Sequence, residues 1–171
     1  MLQASAMQRS KKVVILGHFG VGKTSLIRRF VTNQFSDKYK VTIGVHISKK
    51  VVTFSAEDSI SMILWDLEGT DSLDQIRDAY LLGTHGVIFV FDVSRPSTFQ
   101  QLNEDLKIVS NKLPKRPLLV VGNKKDLVSE EELKDLLKAN TISYDYLTSA
   151  KTGDTVEDVF LNLATLLNTD A

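Results

Sequence analysis

The segment with the clearest chemistry is glycine-rich and ends in a lysine and a threonine. It follows an apolar run at residues 13–16 and reads Gly17-His18-Phe19-Gly20-Val21-Gly22-Lys23-Thr24. This spacing fits G-x-x-x-x-G-K-[ST], in which glycines let backbone N–H groups close around phosphate oxygens. We expect Lys23 to contact the β- and γ-phosphates and the Thr24 hydroxyl to bind Mg²⁺, with Ser25 beside them. The His18 side chain is expected to face away from the phosphates.

A second segment predicts which base is bound. Asn123-Lys124-Lys125-Asp126 follows an apolar run that ends at residue 122. The Asp126 carboxylate can accept from both the N1–H and the 2-amino group of guanine, and adenine offers neither donor at those positions. We therefore expect GTP rather than ATP. Asn123 is expected to join this loop to the phosphate loop, and the Lys124 stem to cover the base.

A third segment, Ser149-Ala150-Lys151, follows the last predicted strand. The backbone N–H of Ala150 is placed to donate to the guanine carbonyl oxygen, with Ser149 bracing the loop. Taken separately, the sequences S-A-K and N-K-x-D are both common in solvated turns. Their order after the phosphate loop, each at the end of a predicted strand, gives them their meaning.

Two further segments predict contacts to Mg²⁺ and the γ-phosphate. Asp66 ends a predicted strand and can hold Mg²⁺ through a water molecule. Gly69, three residues on, can bring its N–H close to the γ-phosphate because glycine tolerates unusual backbone angles. Thr42 lies in the polar stretch 32–44, where its hydroxyl can become another Mg²⁺ ligand.

The elements that must position these residues alternate between strand and helix. Apolar runs predict strands, and helical spacing of apolar residues predicts helices between them, the last opened by Thr155 as N-cap. This alternation predicts an α/β fold with a mostly parallel sheet and helices on both faces, and a ligand beyond the carboxyl ends of the strands. The predicted strands occupy residues 13–16, 45–54, 60–65, 86–93, 118–121 and 142–147. Residues 1–10 are expected to be a disordered lead-in, and residues 11–168 one domain.

The composition excludes several classes of protein. In 171 residues, 21 Lys+Arg balance 21 Asp+Glu, so we expect no positive electrostatic field that would attract nucleic acid. The absence of cysteine excludes disulfides, cysteine-bound zinc and lipid attachment through a thiol in this chain. No apolar run is long enough to cross a bilayer. We expect a cytoplasmic protein that is a monomer.

The ordered set G-x-x-x-x-G-K-T, T-I-G, W-D-x-x-G, N-K-x-D and S-A-K resembles a Ras-superfamily small GTPase, and within that superfamily the Rab branch. The resemblance covers residues 11–168. It implies the P-loop NTPase fold, with six strands, one of them antiparallel, and five helices. It also implies a switch I at about 36–45 and a switch II at about 67–84, with effectors, exchange factors and GTPase-activating proteins as partners. Phe35 matches the aromatic residue that packs on guanine, and Tyr39 the tyrosine that closes over the phosphates.

Three residues depart from the Rab pattern D-T-A-G-Q and its phosphate loop. Thr70 stands where a glutamine orients the attacking water, Glu68 replaces a small alanine, and Phe19 replaces a small residue. We expect slow hydrolysis and resistance to the usual arginine-plus-glutamine activation. Glu68 could instead position water, although repulsion from phosphate opposes this. The candidate catalytic residues are Lys23, Thr42, Gly69, Glu68 and Thr70.

Other features leave the partners and two further functions open. Of the hydrophobic triad on the Rab switch surface, Trp65 matches, Ile47 replaces a phenylalanine, and Tyr80 lies near the third position. The usual carboxy-terminal cysteines are absent, as in prokaryotic Rab-like GTPases or after removal of a tail.

A nucleotide-locked interaction module without turnover is the main alternative to a GTP-hydrolysing switch. A P-loop kinase is a third, opposed by Asp126 and by the lack of an arginine-rich lid.

Overall fold

Six strands form one sheet, and the computed structural model describes residues 9–38 and 40–169 of the chain. The apolar runs of the sequence supply the strands, because β-branched residues pack well on a sheet covered on both faces. The strands are β1 (Arg9–Gly17), β2 (Val45–Thr53), β3 (Ser59–Leu67), β4 (Gly86–Asp92), β5 (Leu118–Asn123) and β6 (Tyr146–Leu147).

The strand order is β2-β3-β1-β4-β5-β6. β1 pairs in parallel with β3 and β4, and β5 pairs in parallel with β4 and β6. Only β2 runs antiparallel, because a short turn returns the chain directly into β3. This arrangement confirms the predicted mostly parallel sheet with one antiparallel strand. Every residue of β4 is buried, as expected for the centre of such a sheet.

Within residues 9–38 and 40–169, five α-helices cover the two faces of the sheet. They are α1 (Lys23–Thr32), α2 (Asp78–Leu81), α3 (Leu102–Lys112), α4 (Glu130–Ala139) and α5 (Val156–Thr169). Short 3₁₀ turns occupy Leu73–Gln75, Pro96–Thr98 and Lys125–Leu127. Among the described residues, no helix has the length and apolar character required to cross a membrane.

One buried cluster lies on each face of the sheet. On the face covered by α1 and α5, the rings of Phe30 and Phe160 stack with centroids 4.2 Å apart. On the other face, Phe91 and Phe99 meet edge to face with centroids 5.5 Å apart. Replacing one such buried ring by alanine costs about 3–5 kcal/mol, so the first pair ties α1 firmly to α5 and the second ties β4 to the turn before α3.

The first strand begins earlier than the sequence predicted. Arg9 and Ser10, assigned to the lead-in 1–10, belong to β1 and pair with β3. The Arg9 guanidinium donates to Asp58 Oδ1 across 2.8 Å, and Asn168 Nδ2 donates to Asp58 Oδ2 across 2.7 Å. These polar ties between β1, the β2–β3 turn and α5 extend the strand, and periodicity does not reveal them. The rest of the predicted lead-in, residues 1–8, lies outside the described residues.

The sixth strand is shorter than the predicted 142–147. The backbone N–H of Val120 donates to the Asp145 side chain across 2.7 Å. Because a carboxylate takes that N–H, a regular backbone ladder with β5 forms only at Tyr146 and Leu147.

The last helix begins directly after Thr155, the residue predicted as its N-cap. Thr155 has φ 63°, in the left-handed region, and its hydroxyl donates to Asp154 Oδ1. Thr155 precedes the first helical residue, and its carbonyl oxygen accepts from the Val159 N–H across 3.3 Å, so it occupies the predicted N-cap position. Its hydroxyl bonds to Asp154 rather than to the first turn of the helix, so the side-chain part of the cap is replaced.

Candidate functional site

The loops after β1, β3, β5 and β6 meet at one edge of the sheet and enclose a cleft of about 290 Å³. This is the edge formed by the carboxyl ends of the parallel strands. Most of the residues predicted from the sequence line it, namely Phe19, Gly20, Gly22, Lys23, Thr24, Ser25, Phe35, Thr42, Gly69, Asn123, Lys124, Asp126, Ala150 and Lys151. Tyr39, predicted to close over the phosphates, lies outside the described residues.

Glycine is required at two positions of the phosphate loop. Gly22 has φ +100°, and a Cβ built there would lie 2.3 Å from Asn123 Nδ2. Gly17 has φ +150°, and its Cβ would lie 2.3 Å from the Val90 carbonyl oxygen. Any side chain would push the loop away from β4 and β5, so these glycines let it curl tightly at the start of α1. The result is the helix-terminus geometry that binds anions.

Asn123 joins the base-side loop to the phosphate loop, as its position in the sequence predicted. Its Nδ2 donates to the Val21 carbonyl oxygen across 3.0 Å, and its Oδ1 accepts from the Thr148 hydroxyl across 3.1 Å. Asn123 is 1% exposed, so both bonds are shielded from water. The side chain therefore fixes the relative position of the phosphate and base subsites.

Lys23 is a buried cation at the mouth of the phosphate loop. Its Nζ donates to the carbonyl oxygens of Gly17, across 3.2 Å, and His18, across 3.0 Å. Burial lowers the pKa of Lys23 to about 8, because the interior disfavours the charged form. An anion in the cleft would stabilise the charged form again, so the site suits phosphate.

The three residues predicted to bind Mg²⁺ converge. Thr24 Oγ1 donates to Asp66 Oδ2 across 2.5 Å, and the Thr42 hydroxyl lies 2.8 Å from Thr24 Oγ1. Burial raises the pKa of the Asp66 carboxyl. Its Oδ1 is buried without a hydrogen-bond partner among the described residues. Hydroxyl and carboxylate oxygens are ligands that Mg²⁺ prefers, and a metal-bound water would satisfy the orphaned Oδ1, so these residues fit the ion.

The base side of the cleft is braced around Asp126. The Ser149 hydroxyl donates to Asp126 Oδ1 across 2.6 Å, which orients the carboxylate and gives Ser149 its predicted bracing contact. The Ala150 N–H, expected to meet the base, here donates to Asn123 Oδ1 across 3.2 Å. Lys151 and Phe35 complete the walls at this end.

Glu68 and Thr70 are not among the residues that line the cleft, although Gly69 between them is. The Glu68 carboxylate accepts from the Gly44 N–H across 3.2 Å, and the Thr70 hydroxyl bonds to the backbone of Ser72. Both line a neighbouring depression rather than the cleft. A backbone N–H of the opposite loop therefore binds the Glu68 carboxylate in this structure, and the expectation that this carboxylate lies near the γ-phosphate stays a prediction.

Gly69, in contrast, lies against the phosphate loop. A Cβ built at Gly69 would approach Phe19 Cα to 2.5 Å and Lys23 Nζ to 3.0 Å. Only glycine fits here, so the backbone of residue 69 is in direct reach of the space in front of Lys23. Phe19 itself is 44% exposed at the rim of the cleft.

The sequence reasoning missed several residues around the site. The His18 ring turns away from the cleft as predicted, but it bridges two carboxylates, with Nδ1 3.0 Å from Asp71 and Nε2 2.9 Å from Asp105. These contacts span 53 and 87 residues, so no local pattern indicates them. Arg28 also lines the cleft, and helical spacing could have found it, since it lies one turn after Thr24 on α1.

Comparisons with known proteins agree with this geometry. A family model described as Ras family matches residues 12–169. The chain is 38% identical to Ras-related protein RABG3e of Arabidopsis thaliana, over 90% of the chain and 80% of that protein. It is 34% identical to the Ypt/Rab-type GTPase YPT7 of Saccharomyces cerevisiae, over 90% of the chain and 79% of that protein. It is also 34% identical to Ras-related protein Rab-1 of Theileria parva, over 91% of the chain and 73% of that protein.

Proposed function

Because the chain belongs to the Ras family, as a Rab-like GTPase, we propose that it hydrolyses GTP slowly to GDP and phosphate and binds effectors only in its GTP state. One observation carries the proposal. A carboxylate suited to guanine, a phosphate-binding loop, and a cluster of hydroxyl and carboxylate oxygens all lie in or beside the same cleft. Asp126, Lys23 and Thr24 represent these three parts.

The chain's own residues divide the work along the nucleotide. Asp126, held by Ser149, selects guanine by accepting from its two N–H donors. Lys23 neutralises the β- and γ-phosphates, and the backbone of Gly69 approaches the γ-phosphate. Mg²⁺ bound at Thr24, Thr42 and Asp66 would neutralise developing charge between the phosphates.

Slow hydrolysis is supported by the contacts of Thr70, Glu68 and Phe19, the three residues that depart from the family pattern. Thr70 is short and bonded to Ser72, so it presents no group to orient the attacking water. Glu68 is held by Gly44, and Phe19 adds bulk at the rim. Water orientation accounts for several orders of magnitude of the stimulated rate in such enzymes. The same contacts favour the second candidate function, a nucleotide-locked interaction module without useful turnover.

The effector surface in this proposal lies beside the two switch loops. Ile43 is 84% exposed and Ile47 49% exposed, and Tyr80 lies close by on α2. Loss of the γ-phosphate would release Thr42 and Gly69 and so rearrange this apolar face. Exchange factors and GTPase-activating proteins acting on a monomer are part of the same proposal.

The test begins with the nucleotide that co-purifies with the protein. The bound nucleotide is extracted and identified, and γ-phosphate release from protein loaded with GTP and Mg²⁺ is followed over hours. Conversion of GTP to GDP supports the switch. GTP that persists, or GDP that does not exchange, supports the locked module, and bound ATP would contradict both.

A further inference from the structure

Arg95 projects from a rigid turn between β4 and α3. Its backbone N–H donates to the Asp92 carbonyl oxygen across 3.0 Å, and its own carbonyl oxygen accepts from the Thr98 hydroxyl across 2.8 Å. Thr98 is 2% exposed, and Pro96 restricts the turn further. The base of the Arg95 side chain is therefore fixed relative to the sheet.

The Arg95 guanidinium reaches the phosphate loop. Its Nη2 donates to the Phe19 carbonyl oxygen, a contact that spans 76 residues. The next carbonyl oxygen, that of Gly20, accepts from Lys124 Nζ across 2.8 Å, and Lys124 is paired with buried Asp92 across 2.8 Å. Two successive carbonyls of the loop are thus held by cations, and both cations are connected to the end of β4.

Because Arg95 holds the Phe19 carbonyl oxygen, it also orients the N–H of Gly20, which belongs to the same peptide. The described chain has no cis peptide bond, and in a trans peptide the C=O and N–H point in opposite directions. Gly20 lines the nucleotide cleft, with φ +73°. When Arg95 holds the Phe19 oxygen outside the cleft, the Gly20 N–H of the same peptide faces the cleft, where an N–H can join the anion-binding nest.

We propose that Arg95 is a positioning residue for the bound nucleotide, which keeps the Phe19–Gly20 peptide in the orientation that presents the Gly20 N–H to phosphate. The proposal rests on the proposed function, because it assigns a role at the same GTP site. Arg95 does not line the cleft, so it acts through the peptide. Without it, the peptide can rotate and present a carbonyl oxygen to the phosphates, which repels them.

A second consequence concerns Gly69. Its α-carbon rests against Phe19, since a Cβ there would approach Phe19 Cα to 2.5 Å. Arg95 therefore holds the carbonyl oxygen of the same residue against whose Cα and N–H side the switch glycine packs.

The test compares Arg95→Ala with Arg95→Lys and with the matched control Arg116→Ala, an exposed arginine before β5. Release of a fluorescent GDP and of a non-hydrolysable GTP analogue is measured by stopped flow with excess competitor. The ³¹P chemical shifts of the bound nucleotide and the melting temperature are recorded for each variant.

We expect Arg95→Ala to release both nucleotides about tenfold faster, the effect of weakening one hydrogen bond to a charged group, and to shift a ³¹P resonance. Arg95→Lys keeps a cationic donor and should restore part of the wild-type release rate and ³¹P shift, while Arg116→Ala should match wild type.

Release rates within twofold of wild type with unchanged ³¹P shifts would overturn the proposal. A lower melting temperature of Arg95→Ala with unchanged ³¹P shifts would also overturn it, because that result would mean that Arg95 contributes to stability alone. Failure of the wild type to hydrolyse GTP would contradict the proposed turnover only, since none of these readouts requires hydrolysis.

Discussion

Gly44 and Glu68 form a reciprocal pair that links the loop before β2 to the loop after β3. The Gly44 N–H donates to the Glu68 carboxylate across 3.2 Å, and the Glu68 N–H donates to the Gly44 carbonyl oxygen across 2.9 Å. These loops correspond to the two switch segments that the resemblance predicted. A carboxylate at position 68 therefore has a role in connecting the loops, which a small residue at that position would not have.

This pairing predicts the effect of removing the carboxylate. In Glu68→Ala we expect tryptic cleavage after Lys38 and Lys40 to be several-fold faster, because the loop that contains them loses a tie, as judged by limited proteolysis. GTP hydrolysis in Glu68→Gln should stay within about twofold of wild type, since the Gly44 N–H binds the side chain outside the cleft. The exposed Glu131→Ala serves as control. A large fall in hydrolysis for Glu68→Gln would instead identify Glu68 as the group that positions water.

A second prediction concerns the cause of slow hydrolysis. Phe19→Gly removes bulk at the rim of the cleft, and Thr70→Gln supplies a side chain long enough to orient water. We expect each to accelerate single-turnover hydrolysis by about tenfold, and the double variant by more. The rate is measured by quenching and counting released phosphate. If neither variant is faster than wild type, the explanation offered for slow turnover is incorrect.

A third prediction concerns base selection by Asp126. In Asp126→Asn, the side chain loses the carboxylate oxygen that accepts from the 2-amino group of guanine. The amide N–H₂ that replaces this oxygen can instead donate to the 2-carbonyl of xanthine. We expect GTP affinity to fall by about a hundredfold or more and xanthosine triphosphate binding to increase, measured by competition titration. Asp135→Asn, an exposed change on α4, should alter neither. Unchanged discrimination would move base selection to another residue.

A fourth prediction concerns His85 and the pH dependence of stability. His85 Nδ1 accepts from the Lys12 N–H across 2.9 Å, which requires an unprotonated nitrogen. Burial, followed by the charges of Lys11 and Arg116, lowers the pKa of His85 from its ordinary value of 6.5. The unfolded chain therefore takes up a proton near pH 6.5 while the folded chain does not, so the free energy of unfolding decreases as pH falls below about 6.5.

The measurement is a series of urea denaturation curves between about pH 5 and pH 7.5. His85→Asn keeps an acceptor for the Lys12 N–H but does not titrate, so its stability should decrease less over this range than that of wild type. Carboxylates titrate in both proteins and their effect cancels in the comparison. Equal slopes for the two proteins would show that His85 contributes no pH dependence.

The single antiparallel strand was implied by the family resemblance, whereas the strand pattern and the ordered motifs were enough to predict the mostly parallel sheet and most of the cleft residues. These features are local, since apolar runs, glycine spacing and residues at strand ends are visible within a few positions. The errors occurred where a distant side chain intervenes. Asp58 and Asn168 extend β1 beyond its apolar run, and Asp145 shortens β6 by binding a backbone N–H.

The sequence by itself determined the chemistry of the site, because the identity and order of residues such as Lys23, Thr24 and Asp126 specify which ligand groups they can bind. Only the tertiary structure decided the direction of Glu68 and Arg95, whereas Thr70 bonds locally to Ser72, two residues on. The physical reason is that a side chain turns toward the partner that best satisfies it. For Glu68 and Arg95 that partner lies 24 and 76 residues away, beyond the reach of any local pattern.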